Sequence, residues 1–185
     1  MPDLEDLSGP FNPDLKLEDF SKDFLLKVMN VWQYAWIEMA GIWYDAIKQS
    51  LGSEAANDCE REAWLSVAER VNPRYPNVAN IELNTVLDSL KALQLPLDNM
   101  TGELFPAKFD IKNENHVIVT LPNCRVLQYL EREAPERIEP VCHVLEKAAF
   151  EKYVLNPKIK ITPLKLPPRK SPDEIACQWE FKLEE

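Results

Sequence analysis

The chain has 185 residues and a formal net charge of −10, with 45% hydrophobic residues, four Cys and five Trp. That length suits a single domain able to bury roughly 70% of its unfolded surface, so no disulfide or metal is needed to hold a core. The acidic balance excludes phosphate backbones and anionic bilayers as natural partners, because both would be repelled. Nucleic acid and membrane are therefore not expected.

The chain opens Met-Pro-Asp-Leu-Glu-Asp, with no basic n-region and no apolar h-region, so a signal peptide is not expected. The most apolar stretch, Val31 to Ile47, carries Gln33, Glu38 and Asp45 and is too short and too polar to span a bilayer. The expected compartment is the cytoplasm, where the four Cys stay reduced.

Residues 1–20 contain Pro2, Gly9, Pro10 and Pro13 among acidic residues, and predict an extended arm wrapped over the domain through Phe11, Leu15 and Phe20. The rest, 21–185, reads as one α+β domain. Ser21 is a suitable N-cap for a long helix ending near Ser50. At about 100° per residue, Leu25, Met29, Trp32, Trp36, Met39, Trp43 and Ile47 share one side. That stripe predicts core, with Trp36 and Trp43 as candidate walls for a flat ligand. A second helix runs to about Val71, stopped by Asn72-Pro73, with Ala56, Cys59, Ala63 and Val67 inward and Trp64 as a further candidate for that face. A third is expected from about Asn77 to Leu93, and Asp98 to Gly102 reads as a turn-rich connection.

The pattern then changes period. Phe109 and Ile111, then Val117, Val119 and Leu121, alternate with polar neighbours across Lys112–Glu114, a β-hairpin signature. A short helix follows from about Cys124 to Arg132, and another from about Pro140 to just before Asn156-Pro157. A strand near Lys158–Thr162 is interrupted at Pro163, and a proline-rich loop leads to a last strand at Glu174–Leu183. Helices segregated from paired strands predict N-terminal helices on one face of an antiparallel sheet of about four strands.

Three cysteines carry the chemical interest. Cys124 and Cys142 are both expected in the first turns of helices, where unpaired N–H groups and the helix dipole favour a thiolate. Cys142 ranks first as a catalytic nucleophile, Cys124 second, and Cys177 last because its strand neighbours are apolar. The bland alternative is that all three are small core residues. Cys59 has no chemical cue around it and reads as core. Cys142 and His143 are adjacent on a helix and diverge by about 100°, so a dyad is not expected, and both His143 and His116 read as surface residues. No CxxC pair is present. Convergence of Cys124, Cys142 and Cys177 would still allow zinc or iron to be held through sulfur. Arg169, in the proline-stiffened loop, is a candidate carboxylate clamp, and Trp179 a candidate wall of a substrate pocket. The four scattered Gly exclude a glycine-rich phosphate loop. Asn99-Met100-Thr101 matches a glycosylation sequon without an export context.

Several short motifs, spread over most of residues 20–183, resemble those of a family of small prokaryotic proteins. They are Trp43-Tyr44, Gly52 with Ala55 and Trp64, Cys124, Cys142-His143, Asn156-Pro157, and Cys177-Gln178-Trp179-Glu180-Phe181. That family looks distantly related to L-2-amino-thiazoline-4-carboxylic acid hydrolases and to the 4-vinyl reductase domain. The resemblance implies a helices-then-sheet architecture and a cysteine-centred small-molecule site, but the segment Ile161–Leu166 lacks the cysteines often found there in the family. The leading expectation is a small-molecule-binding protein acting as a cysteine-dependent hydrolase on a C–N or C–S bond of a small heterocycle or amide. The rivals are a non-enzymatic ligand or metal sensor and an interaction module without a site. A small-molecule ligand is the expected partner, with homodimer formation left open.

Overall fold

The computed structural model describes residues 4–96 and 105–184. The turn expected at Asp98–Gly102 and the sequon at Asn99–Thr101 fall outside these residues. The architecture is α+β, with the helices mostly in the N-terminal half and an antiparallel four-stranded sheet. The chain runs through α1 (Lys22–Leu51), α2 (Ser53–Val71), α3 (Arg74–Ala79), α4 (Val86–Leu93), β1 (Lys108–Asn113), β2 (His116–Leu121), α5 (Arg125–Glu133), α6 (Glu146–Tyr153), β3 (Ile159–Lys165) and β4 (Cys177–Leu183). A 3-10 turn at Pro135–Arg137 and a π-helical segment at Glu139–Leu145 lead directly into α6.

Local chemistry sets most of these limits. Ser21 caps α1 by accepting from the Phe24 N–H at 3.1 Å. Gly52, at φ +91°, separates α1 from α2, a backbone angle that favours glycine. The helix expected over Asn77–Leu93 is two helices: Asn80 turns left-handed at φ 52°, and α4 restarts behind Thr85. Asn tolerates this conformation because its short side chain bonds locally. Thr85 accepts from Asp88 N–H at 3.1 Å while Asp88 accepts from Thr85 N–H at 3.1 Å, a reciprocal capping box. Because α4 carries Val86, Leu90 and Leu93 into the core, Thr85→Ala is expected to cost about 1 kcal/mol, read from the urea midpoint.

The strand order is β1-β2-β4-β3. The register pairs Val117 with Phe181, Val119 with Trp179 and Leu121 with Cys177, and on the other side of β4 it pairs Ile161 with Phe181. These residues share one face, and α4, α5 and α6 cover it through Leu90, Leu127 and Phe150. The opposite face is polar, with Gln178 donating to Thr120 at 2.9 Å and His116 paired with Glu180 at 2.8 Å. His116 is therefore partnered rather than free at the surface. β3 continues through Pro163 instead of stopping there. It is an edge strand, which tolerates the missing N–H, and its register shifts between Pro163 and Lys165.

α1 and α2 form an outer layer, with α1 against α2 and α2 against α6. Two expectations fail here. The α1 stripe is not core: Trp32, Trp36, Met39 and Trp43 are all exposed, and α1 turns Gln33 and Tyr44 inward instead. Cys59 is exposed too, because α2 presents Ala56, Trp64 and Ala68 inward. The arm does not wrap the domain through Phe11, which is 91% exposed. It doubles back on itself, Leu4 bridging Phe20, while Phe20 stacks on Phe24 at 4.6 Å.

A candidate apolar binding cavity walled by three thiols

The pairing of Leu121 with Cys177 places Cys177 at the end of the sheet where β2 leads into α5. Cys124 sits there as the α5 N-cap, its Sγ accepting from Leu127 N–H at 3.4 Å. Asn123, one residue earlier, accepts from Cys124 N–H at 3.0 Å. Cys142 approaches from the π-helical segment. All three thiols line one cavity of about 500 Å³, a size that suits a small organic molecule. The cavity lies between the outer helices and the sheet. α1 contributes Ile37, Gly41 and Ile42, α2 contributes Trp64, α5 Leu127 and Leu130, α6 Ala149 and Phe150, and the sheet Leu121 and Trp179.

The first-turn argument for Cys142 does not hold. Ile138 before it is helical, and the 3-10 turn at Pro135–Arg137 continues into the π-helical segment, so Cys142 does not sit at a free helix end. Burial raises its pKa above the ordinary thiol value, and the negative charge of Glu146 raises it further. Cys124 is pushed up to about 11 by burial, against the opposing pull of the Leu127 N–H. Cys177 is pushed up to about 12 by burial, with the Trp179 side chain acting in the lowering direction. At neutral pH all three are uncharged thiols. A neutral thiol is a poor nucleophile, so the pocket holds weak donors and polarizable apolar surface rather than an activated Cys142 or Cys124.

Among the described residues, no group of three or more His, Cys, Asp or Glu side chains is arranged to hold a metal ion. Sharing a wall is thus not the same as forming a coordination sphere, and Cys124, Cys142 and Cys177 do not fit zinc or iron in this arrangement.

Other candidate residues separate. Trp179 lines the cavity, and its buried Nε1–H acts on the Cys177 thiol without reaching full hydrogen-bond geometry. Trp36 and Trp43 do not line it; Trp36 instead packs edge-on against Trp64 at 5.9 Å. Arg169 is occupied rather than available, its Nε and Nη2 meeting Glu131 at 2.9 and 2.5 Å. His143 is partly buried, with Nε2 2.6 Å from the Pro167 carbonyl. Its ring thereby ties the proline loop to the helix beside the cavity.

The sequence reading missed Glu60 and Arg137. Arg137 is 6% exposed, donates through Nη2 to both Glu60 oxygens at 2.7 and 2.9 Å, and lies 3.4 Å over the Tyr44 ring. Both Glu60 and Arg137 line the cavity. One signal was present: Glu60 falls between Ala56 and Trp64 on the inward side of α2, a carboxylate where only apolar residues are expected. Arg137, in an irregular Ala-Pro-Glu-Arg-Ile-Glu-Pro stretch, carries no such signal.

The chain is thus an α+β domain with an apolar cavity between its outer helices and the sheet. The chain belongs to the family of unknown function DUF6125, whose model matches residues 18–183. No curated protein and no solved structure matches it. Among the described residues, no helix is long and apolar enough to cross a membrane.

Proposed function

We propose that this chain is a cytoplasmic small-molecule-binding protein whose ligand is mostly apolar and neutral or cationic. The observation that carries the reading is the cavity of about 500 Å³, walled by uncharged thiols, Leu127, Phe150 and Trp179. Four carboxylates, Glu38, Asp45, Glu60 and Glu146, line it against two guanidinium groups, Arg125 and Arg137, so an anionic ligand is disfavoured. The same neutral thiols favour a binding role over the cysteine-dependent hydrolase that the resemblance suggested, because a nucleophilic step would first need a base to ionise them.

The test uses N-phenyl-1-naphthylamine, a neutral apolar fluorophore, with emission recorded on excitation of the Trp side chains. The wild-type chain is expected to bind it saturably. Ala149→Trp, at a 4% exposed position in the wall, should fill the space and weaken binding at least ~10-fold. A Trp32→Glu/Met39→Glu variant on the outer face of α1 should bind as the wild type does. Equal binding by wild type and Ala149→Trp would sink the reading.

A further inference from the structure

α1 is a 30-residue helix whose buried residues are Gln33 and Tyr44. Leu25, Met29, Trp32, Trp36, Met39 and Trp43 recur at alternating intervals of four and three, the spacing of a coiled-coil seam. The exposed members of that seam, with Val31 beside them, are each between 40% and 66% accessible. At about 100° per residue they fall within one arc roughly 160° wide, and from Phe24 to Ala46 this arc carries no charged residue. Their accessible surface is on the order of 800 Å², whereas the largest apolar patch on a monomer is typically about 300–600 Å².

We infer that this face of α1 is the interface with a second copy of the chain, formed by two α1 helices packing seam against seam about a two-fold axis. Three features select that occupant. The available area matches the ~800 Å² that each partner contributes to a standard stable interface. A 4-3 repeat is complementary to itself, since the same knobs fill the same holes when the helix is duplicated. The chain's net charge of −10 opposes docking on an anionic lipid surface or a nucleic acid, while a charge-free arc brings no like charges together between copies. The edge-on contact of Trp36 with Trp64 anchors the stripe on α2, so the interface is presented on a supported helix.

The experiment is sedimentation velocity of the full chain from ~1 to ~100 μM, with dilution defining the dissociation constant. The wild type is expected to sediment at twice its 21.4 kDa chain mass. Trp32→Glu/Met39→Glu should weaken association by roughly thirty-fold or more, because a central Trp is a typical hot spot. Those side chains are exposed within one chain, so the variant should keep the wild-type circular dichroism spectrum and melting temperature at high dilution. A monomeric wild type across the whole range overturns the inference. So does a dimer that the variant leaves unchanged, which would place the interface elsewhere. Binding of the monomer to neutral phosphatidylcholine vesicles through the stripe would assign the face to lipid and equally overturn it.

Discussion

Arg137→Ala is expected to destabilise the protein by about 3–5 kcal/mol, because it leaves the Glu60 carboxylate buried without its partner. The Arg137 and Glu60 side chains are only 7% and 14% exposed, so water cannot compensate for the lost contact. The same substitution removes the cation over the Tyr44 ring, which in turn donates to Asn57 at 3.0 Å. This one guanidinium therefore ties α1 through Tyr44, and α2 through Glu60, to the turn before α6. The neighbouring ion pairs, Lys48 with Glu136 and Lys152 with Glu69, are far more exposed and contribute little. Replacing both partners, as Arg137→Met with Glu60→Leu, should cost much less than Arg137→Ala alone, since no orphan charge remains. Urea denaturation of the single and double variants measures the difference. A loss below about 1 kcal/mol for Arg137→Ala would show that the pair is not buried in solution as it is here.

Alkali is expected to weaken the fold well before the backbone itself is attacked. In the unfolded chain the cavity thiols ionise near the ordinary value of 9.0, whereas in the folded chain Cys124 holds its proton to about 11 and Cys177 to about 12. Between those values the unfolded state has lost protons that the folded state keeps. Stability is thus fully present below about pH 9 and declines as pH rises, by up to about 1.4 kcal/mol per pH unit for each thiol. For Cys124 alone, the two-unit gap amounts to roughly 2–3 kcal/mol. Lys and Tyr titrate in the same range, so the informative comparison is with a Cys124→Ala/Cys142→Ala/Cys177→Ala variant, whose decline from pH 9 to 11 should be markedly shallower. Parallel curves for the two proteins would refute the assignment. Iodoacetamide labelling at pH 7.5 supplies a second readout. Exposed Cys59 should react first, and the cavity thiols only slowly. Faster labelling of Cys142 than of Cys59 would restore it as a nucleophile.

The hairpin, the period of two through Cys177, Trp179 and Phe181, and the caps at Ser21 and Gly52 are local. Each depends on a residue's own geometry and its nearest neighbours, so the sequence determined the α+β class, the antiparallel strands and the limits of α1 and α2. The burial of Trp179 and Phe181 follows from the same alternation. The convergence of Cys124, Cys142 and Cys177 on one cavity was expected as a shared layer but was decided by strand register, which pairs Leu121 with Cys177. Other outcomes were decided only by the tertiary structure. The apolar stripe of α1 has the periodicity of a core, but a period says that a face is apolar, not which surface covers it. Within one chain the neighbours of α1 take Gln33 and Tyr44 instead. The Cys142 thiol looked activated because a Pro140 start implies a free helix end. The preceding turn removes that end, and burial then outweighs any dipole. Arg137 and Glu60 are 77 residues apart, and their pairing is visible only once α2 is packed beside the turn before α6, because ionic contact depends on distance in space and not along the chain.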